Sequence, residues 1–517
     1  MSRHTPLWKT PLDRRAFFGL AGAGAGALVL SSCGMQTGNE GEGEGGEGAA
    51  VIRAAFDRPI LDLNPFGSAN VEQATLLAAA LIFDSLVTRT DEGFDPRLAA
   101  EWDQPDENTW VFTLAEVSYH DGQPVTAEDV KACIENIAAG STPQAALWGA
   151  LDTVEATDEK TVTITTTSPV GTMLANLSLI SIVPAGKIED ESFFATAPVG
   201  SGPFEVESFT ASDHLNLTAV EDYWNGAAAS SRLELPYIPE NSTRLTALKT
   251  GEVDVTWSIP PDQLAELEEP GVEVVTGPSF VNYFNWFNSS REPFTDVRVR
   301  QAMWMAIDVA QVVTDLFGDS AELATAPIPS PVFGYSAQDP YPYDPEQARS
   351  LLAEAGLADG FSTHLMWAQG VAPQARPLAE SFASYWSEIG VTVELQELEQ
   401  AQWLDRLLAL DWDMELQNAG NATGDADYTL GRLYSTEANR MGYSNPELDE
   451  ILNDARSTTD QDQRAELYAQ ACTIIWDDAV GIFPLDPLAT YGVREGVQGL
   501  QPAPNNQPDF VPVHRSA

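Results

Sequence analysis

Tyr119-His120-Asp121-Gly122-Gln123-Pro124-Val125-Thr126-Ala127-Glu128-Asp129-Val130 carries the chain from a polar turn into a helix. Thr126 reads as the N-cap, because its hydroxyl can take a backbone N–H that the first helical turn leaves unpaired. Val130, Ile134 and Ile137 then share one face, and Gly140 ends the helix. Upstream, Trp110-Val111-Phe112-Thr113-Leu114 has strand character. Downstream, Thr161-Val162-Thr163-Ile164-Thr165 alternates with period two after the turn Asp158-Glu159-Lys160. Strand and helix signals continue to alternate, and no repeat of roughly 20–50 residues is visible. The pattern predicts an α/β protein.

Two further helices are well marked. Asp296 reads as the cap of one, with Val299, Ala302, Ala306, Ala310, Val313 and Phe317 on one face and Gly318 at its close. Asp344 caps the other, Pro345 takes the first helical position, Gln347 can complete a capping box, and Leu351, Leu352 and Ala355 face inward.

The 517 residues include 26 basic and 77 acidic side chains, a formal net charge of −51. Only five bases are lysine: Lys9, Lys131, Lys160, Lys187 and Lys249. Such a surface excludes phosphate-backbone binding and a polybasic membrane patch, so no nucleic-acid partner is expected. It reads as a solubilising surface, with attraction of cationic ligands as the alternative. An apolar share of 44% supports real cores, and the length leaves room for about two to four domains.

Arg3, Lys9, Arg14 and Arg15 precede the apolar run Ala16–Leu30, which is shorter than the roughly 20 residues of a comfortable membrane span. This reads as a signal peptide over 1–32, and Arg14-Arg15-Ala16-Phe17-Phe18 resembles a twin-arginine signal. Leu30-Ser31-Ser32-Cys33 resembles a bacterial lipobox, with Cys33 as the lipidated residue. Loss of four bases and one acid with the signal makes the exported body still more acidic. The Gly/Glu-rich stretch 34–50 reads as a tether. Cys133 and Cys472 read as buried free thiols rather than a disulfide. The body beyond the tether is expected to be soluble and extracytoplasmic.

Enzyme signatures fail one by one. His4, His120, His214, His364 and His514 show no ligand spacing and no H-E-x-x-H. Val199-Gly200-Ser201-Gly202-Pro203 is a tight turn, not a nucleophile elbow. Lys249-Thr250-Gly251 stands without any S-x-x-K, and no phosphate loop is present. No catalytic residue, metal site or cofactor is expected, and the carboxylate pairs that 77 acids produce by chance carry no signal.

Eight blocks in collinear order resemble the extracytoplasmic solute-binding proteins of ABC transporters, family 5, the peptide/nickel type. They are Leu63-Asn64-Pro65; Phe83-Asp84-Ser85-Leu86-Val87 with Pro96-Arg97-Leu98-Ala99 and Trp102; the Tyr119–Val130 stretch; Val199–Phe204; Tyr223-Trp224-Asn225-Gly226; Gly251-Glu252-Val253-Asp254; Pro293–Ala302; and Asp344-Pro345 with Ala355-Gly356. Within them His120 reads as structural, Arg298 and Arg300 as an ion-paired helix start beside Asp296, and Trp224 as a packing anchor.

The resemblance implies a periplasmic-binding-protein type II-like, two-lobed α/β clamp with an extra inserted domain. Domain I would comprise 51–87, 196–282 and 485–517, domain II 88–195, and domain III 283–484. Solute would lie between the lobes, and the closed, monomeric protein would dock on a permease powered by a separate ATPase. Peptide is the leading solute; a nickel chelate, an opine or a saccharide are alternatives, with an extracytoplasmic hydrolase or a membrane-partnered sensor or adhesin behind them. In peptide-binding members an Asp in a Trp-x-x-Asp stretch pairs with the ligand amine. Here the matching positions are Ala419 and Ala422, so the amine clamp is missing and Asn418, Asn421 and Asp425 are the nearest replacements. The same resemblance nominates Ser68, Asn70, Trp148, Trp367 and Gln400 as ligand contacts.

Overall fold

In a computed structural model, residues 51–516 are described, apart from positions 71, 91, 92 and 268. The expected signal peptide, Cys33 and the tether therefore lie outside the described residues. No described helix is long and apolar enough to cross a membrane.

The helix that opened the sequence reading spans Ala127–Ala139. Thr126 takes the Asp129 N–H, and the Asp129 carboxylate takes the Thr126 N–H, which closes a reciprocal capping box. Val130, Cys133, Ile134 and Ile137 are buried on its inner face, which packs against a four-stranded antiparallel sheet ordered 99–106, 109–114, 161–166, 151–156. The thiols of Cys133 and Cys472 are free and buried.

A seven-stranded sheet draws on three separate stretches of chain. Its order is 272–277, 489–494, 255–257, 51–55, 232–236, 214–219, 204–210. Strand Val51–Ala55 runs parallel to both its neighbours, and the remaining pairs are antiparallel. A five-stranded sheet, ordered 391–398, 361–368, 414–420, 281–287, 481–482, belongs to the continuous stretch between. Two large cores follow from these sheets. One gathers buried side chains from Phe280 to Leu485; the other gathers Ile52 to Trp257 and Ala489 to Val513. The chain crosses between them at 278–280 and at 483–488, and at the second crossing Leu485–Pro487 pairs with Ala321–Leu323.

The helix expected from Val299 to Phe317 is two helices, Val297–Met305 and Val309–Phe317. Asp308 breaks it: its carboxylate caps the second helix by accepting the Gln311 N–H at 3.1 Å. A helical stripe can run on across such a cap, so side-chain spacing alone did not reveal the break. The helix start at Asp296 is ion-paired to Arg298 as read, but Arg300 turns inward and donates to the carbonyls of Phe294, Asp478 and Ala479. Asp344 caps Pro345–Glu354 as expected. His120 contacts the Gly202 carbonyl at 2.9 Å through Nε2, a structural role.

Candidate functional site

Two adjoining cavities, of about 520 Å³ and about 190 Å³, lie between the lobes and share Thr88, Arg89, Arg97, Phe280, Asn505 and Gln507. One wall comes from helix Gln73–Ile82 and strand Val87–Thr90. Phe280, Pro331, Ala422 and Thr423 face it from the other side, at the edge of the second lobe.

Arg89 spans this gap. Its guanidinium donates to the carbonyls of Pro331 at 3.2 Å and Thr423 at 3.5 Å, and sits 5.2 Å from the centre of the Phe280 ring. The close approach requires Gly424, whose φ is +67° and whose Cβ, if present, would strike the Arg89 guanidinium.

Arg97 forms the floor and is anchored from beneath. It pairs with buried Asp84 at 2.6 Å and donates to the Tyr223 hydroxyl at 2.9 Å. Tyr223 and Trp224 donate to the same Asp84 carboxylate at 2.7 and 3.0 Å. Burial alone would lower the pKa of Arg97, but Asp84 and Tyr223 turn the net shift upward and hold the guanidinium charged. Asp84, Arg97, Tyr223 and Trp224 all fall in blocks quoted above, so those blocks build the cleft floor. The hydrogen bond to Asp84 gives Trp224 a polar anchor as well as packing.

The larger cavity is roofed by Gln501-Pro502-Ala503-Pro504-Asn505, Gln507-Pro508-Asp509 and Val511. Pro502, Pro504 and Pro508 exclude a regular ladder from this stretch. The loop is held instead by single bonds: the Phe280 N–H to the Pro504 carbonyl at 2.7 Å, and Asn506 to the Ser258 hydroxyl at 3.3 Å. Sequence reasoning chose no site residue here, nor Arg89 or Phe280. Arg89 stands two residues beyond a quoted block and Phe280 at a lobe crossing; an isolated basic strand residue and a dense Pro/Asn/Gln loop were the available signals.

The eight residues nominated from the sequence are dispersed. None lines the two central cavities, whereas Ala422, the position that the resemblance matched to the clamp aspartate, lines the smaller one. Ser68 is exposed before the first helix, and Gln400 is exposed at the start of helix Gln400–Leu408. Asn70 is buried and bonds Thr142 and Gln144, tying two segments of the first lobe. Trp148 and Trp367 lie in the two cores, with Arg376 over the Trp367 ring. Asn418 is opposite Tyr283 in the sheet, and burial, offset in part by a bond from Asn418, raises the Tyr283 phenol.

Asn421 organises its own loop. Its amide donates to the Asp425 carbonyl and the Thr429 hydroxyl, and its carbonyl accepts the Gly424 N–H at 2.7 Å. Asp425 is engaged by the buried Arg464 guanidinium through both oxygens, each at 2.9 Å. It also lines a cavity of about 800 Å³ with Trp102, Leu174 and Phe333, which adjoins the larger central one and shares Arg89, Pro331 and Pro502 with it. These two residues thus shape the loop that carries Ala422 and Thr423 into the cleft.

Among the described residues, no group of three or more His, Cys, Asp or Glu side chains could hold a metal ion.

The family model described as "Bacterial extracellular solute-binding proteins, family 5 Middle" matches residues 93–440. Heme-binding protein A of Haemophilus influenzae is 28% identical over 443 residues, 76% of this chain and 80% of its own length. Glutathione-binding protein GsiB of Pectobacterium atrosepticum is 29% identical over 395 residues, 71% of this chain and 75% of its own. The structure of HbpA2 from Haemophilus parasuis superimposes with a TM-score of 0.81 at 25% identity, covering 90% of this chain and all of that one.

Proposed function

The chain belongs to the bacterial extracellular solute-binding proteins of family 5, and from that premise we propose that its solute is a short peptide held by a carboxylate group in the cleft around Arg89. The protein is the extracytoplasmic solute-binding component of an ABC importer and not an enzyme.

The observation that carries the peptide reading is the charge of the cleft. In a chain with 77 acids, Arg89 stands where two interlobe cavities meet, while the position that would hold a ligand amine is Ala422. A carboxylate on Arg89 replaces an amine on aspartate as the anchoring ion pair. Thr88, Asn505 and Gln507 supply neutral hydrogen-bonding groups for a peptide backbone, and Phe280 an aromatic wall. The two sequence relatives are named for binding glutathione and heme, both of which carry carboxylates.

Closure on solute follows from contacts made to both lobes at once. The sequence-derived limits of domains I, II and III remain part of this proposal, supported by the two cores and by the three-part large sheet. So does a monomer tethered to the membrane through lipidated Cys33, supported by the sequence Leu30-Ser31-Ser32-Cys33.

Isothermal titration against glutathione, free dipeptides, C-terminally amidated dipeptides, nickel-histidine, haem and an opine tests the reading. A free-acid peptide is expected to bind, and Arg89→Gln or C-terminal amidation should each weaken it about tenfold or more, or about 1.4 kcal/mol. Binding of a non-peptide alone, or unchanged affinity in Arg89→Gln, overturns it.

A further inference from the structure

A separate interlobe cavity, of about 660 Å³, shares no lining residue with the two central ones. Leu147, Gly149, Ser168 and Thr172 line it from the first lobe; Asp427, Tyr428, Arg432, Glu437, Arg440 and Arg456 line it from the second. Three arginines on one wall are notable in a chain with 77 acids and only 26 bases. With that excess of carboxylates, an arginine left without one needs an explanation.

Only Arg456 has one. Its guanidinium grips Asp427 through Nε at 3.1 Å and through a terminal nitrogen at 3.0 Å. Arg432 donates to the Tyr428 carbonyl and lies 4.0 Å from the centre of the Tyr428 ring, with no carboxylate partner among the described residues. Arg440 makes no hydrogen bond or ion pair among the described residues, and its Nε is buried. Glu437, the other acid on this wall, is exposed. A buried N–H with no acceptor is tolerated where an absent group supplies one.

We propose that this cavity is an oxyanion site. A carboxylate or phosphate group would be held by Arg440 and Arg432, with Tyr428 supporting the Arg432 plane and Ser168 and Thr172 facing the group from the first lobe. Beside it, the Gly171 N–H donates to the Arg456 carbonyl at 2.8 Å, so the walls already touch across the lobes. An anion seated here contacts both lobes, favours the closed clamp, and by linkage tightens binding in the central cleft. The site is distinct from the one around Arg89, and its test does not require knowing which solute is carried there.

The group can come from a free small anion or from an anionic arm of the solute itself. Titrating the full chain with citrate and with inorganic phosphate, at fixed ionic strength, tests the site directly. One of them is expected to bind wild type and to lose about tenfold or more in affinity in Arg440→Gln and in Arg432→Gln. Arg440→Lys should retain part of it, and Arg298→Gln, far along the chain at an ion-paired helix start, should match wild type. Glutathione titrated with and without saturating anion separates the sources: tighter binding marks a free co-ligand, weaker binding marks an arm of the solute, and unchanged binding overturns the linkage to closure. Absence of binding by either anion up to about 10 mM, or equal affinity in wild type and both glutamine variants, overturns the proposal and leaves the central cleft untouched. Thermal melts of each variant check that it is folded.

Discussion

Replacing Glu415 by glutamine should make the protein more tolerant of alkaline pH. Glu415 lies on strand Met414–Gly420, fully buried, accepting from Trp403 Nε1 at 3.0 Å and Gln417 Nε2 at 2.9 Å. Burial pushes its carboxyl up to about 8, and the two hydrogen bonds offset only part of that. The folded protein therefore keeps this proton through a range in which the unfolded chain, titrating near 4.5, releases it. The sign follows: this group favours folding most at low pH, loses that contribution as pH rises from about 4.5 to about 8, and changes nothing further above. At about 1.4 kcal/mol per pH unit, the ceiling of the effect is roughly 5 kcal/mol. Glutamine keeps the shape and cannot ionise, and rotation of the Gln417 amide would offer the new N–H group an acceptor. Urea unfolding of wild type and Glu415→Gln at about pH 5 and about pH 8.5 isolates the term, because the other groups titrate alike in both proteins. The variant should gain on wild type by a few kcal/mol between the two conditions, bounded by the same ceiling. An equal stability difference at both pH values refutes a buried, protonated Glu415.

Three other outcomes are expected. Asp425→Asn strips Arg464 of its buried carboxylate and should cost about 3–5 kcal/mol in a urea melt; a loss under about 1 kcal/mol would mean the pair is solvated. Gly171→Ala places a methyl group against the Thr458 carbonyl and the Arg464 side chain across the lobes, so solute affinity should fall about tenfold or more and X-ray scattering should report a more open particle; wild-type affinity would show that this contact is not needed for closure. Burial pushes the thiols of Cys133 and Cys472 up to about 12. In a Cys33→Ser background a disulfide reagent at about pH 8 should find both silent in the native protein and both reactive in denaturant; labelling of either without denaturant would contradict their burial.

Local chemistry was legible in the sequence where one residue decides the backbone. The Thr126 cap, the Asp344 cap and the period-two strand around Val162 and Ile164 were all readable for that reason. The collinear blocks identified the family because they encode long-range anchors, of which Asp84 with Arg97, Tyr223 and Trp224 is the clearest. The cleft itself was less legible. Trp148 and Trp367 looked like ligand walls but fill the cores, because a strand or short helix offers two faces and residue type does not say which one meets solvent. Arg89 and the 501–509 loop meet only after more than 400 residues of chain have folded between them, and no local pattern reports that meeting. Asp308 cut a helix because capping competes with periodicity, and spacing registers only the second.

The large sheet also sets a timetable. Strand Ala489–Arg494 lies between Val255–Trp257 and Val272–Gly277, pairing with both. At typical synthesis rates of about 5–20 residues per second, those two strands wait roughly 10–50 seconds for the partner that separates them. The second lobe, continuous from Phe280 to Leu485, has all its strands before that partner is made. The clamp is thus assembled from the inside of the sequence outward, and its first lobe stays incomplete, with two unjoined edges, until nearly the last residues have emerged.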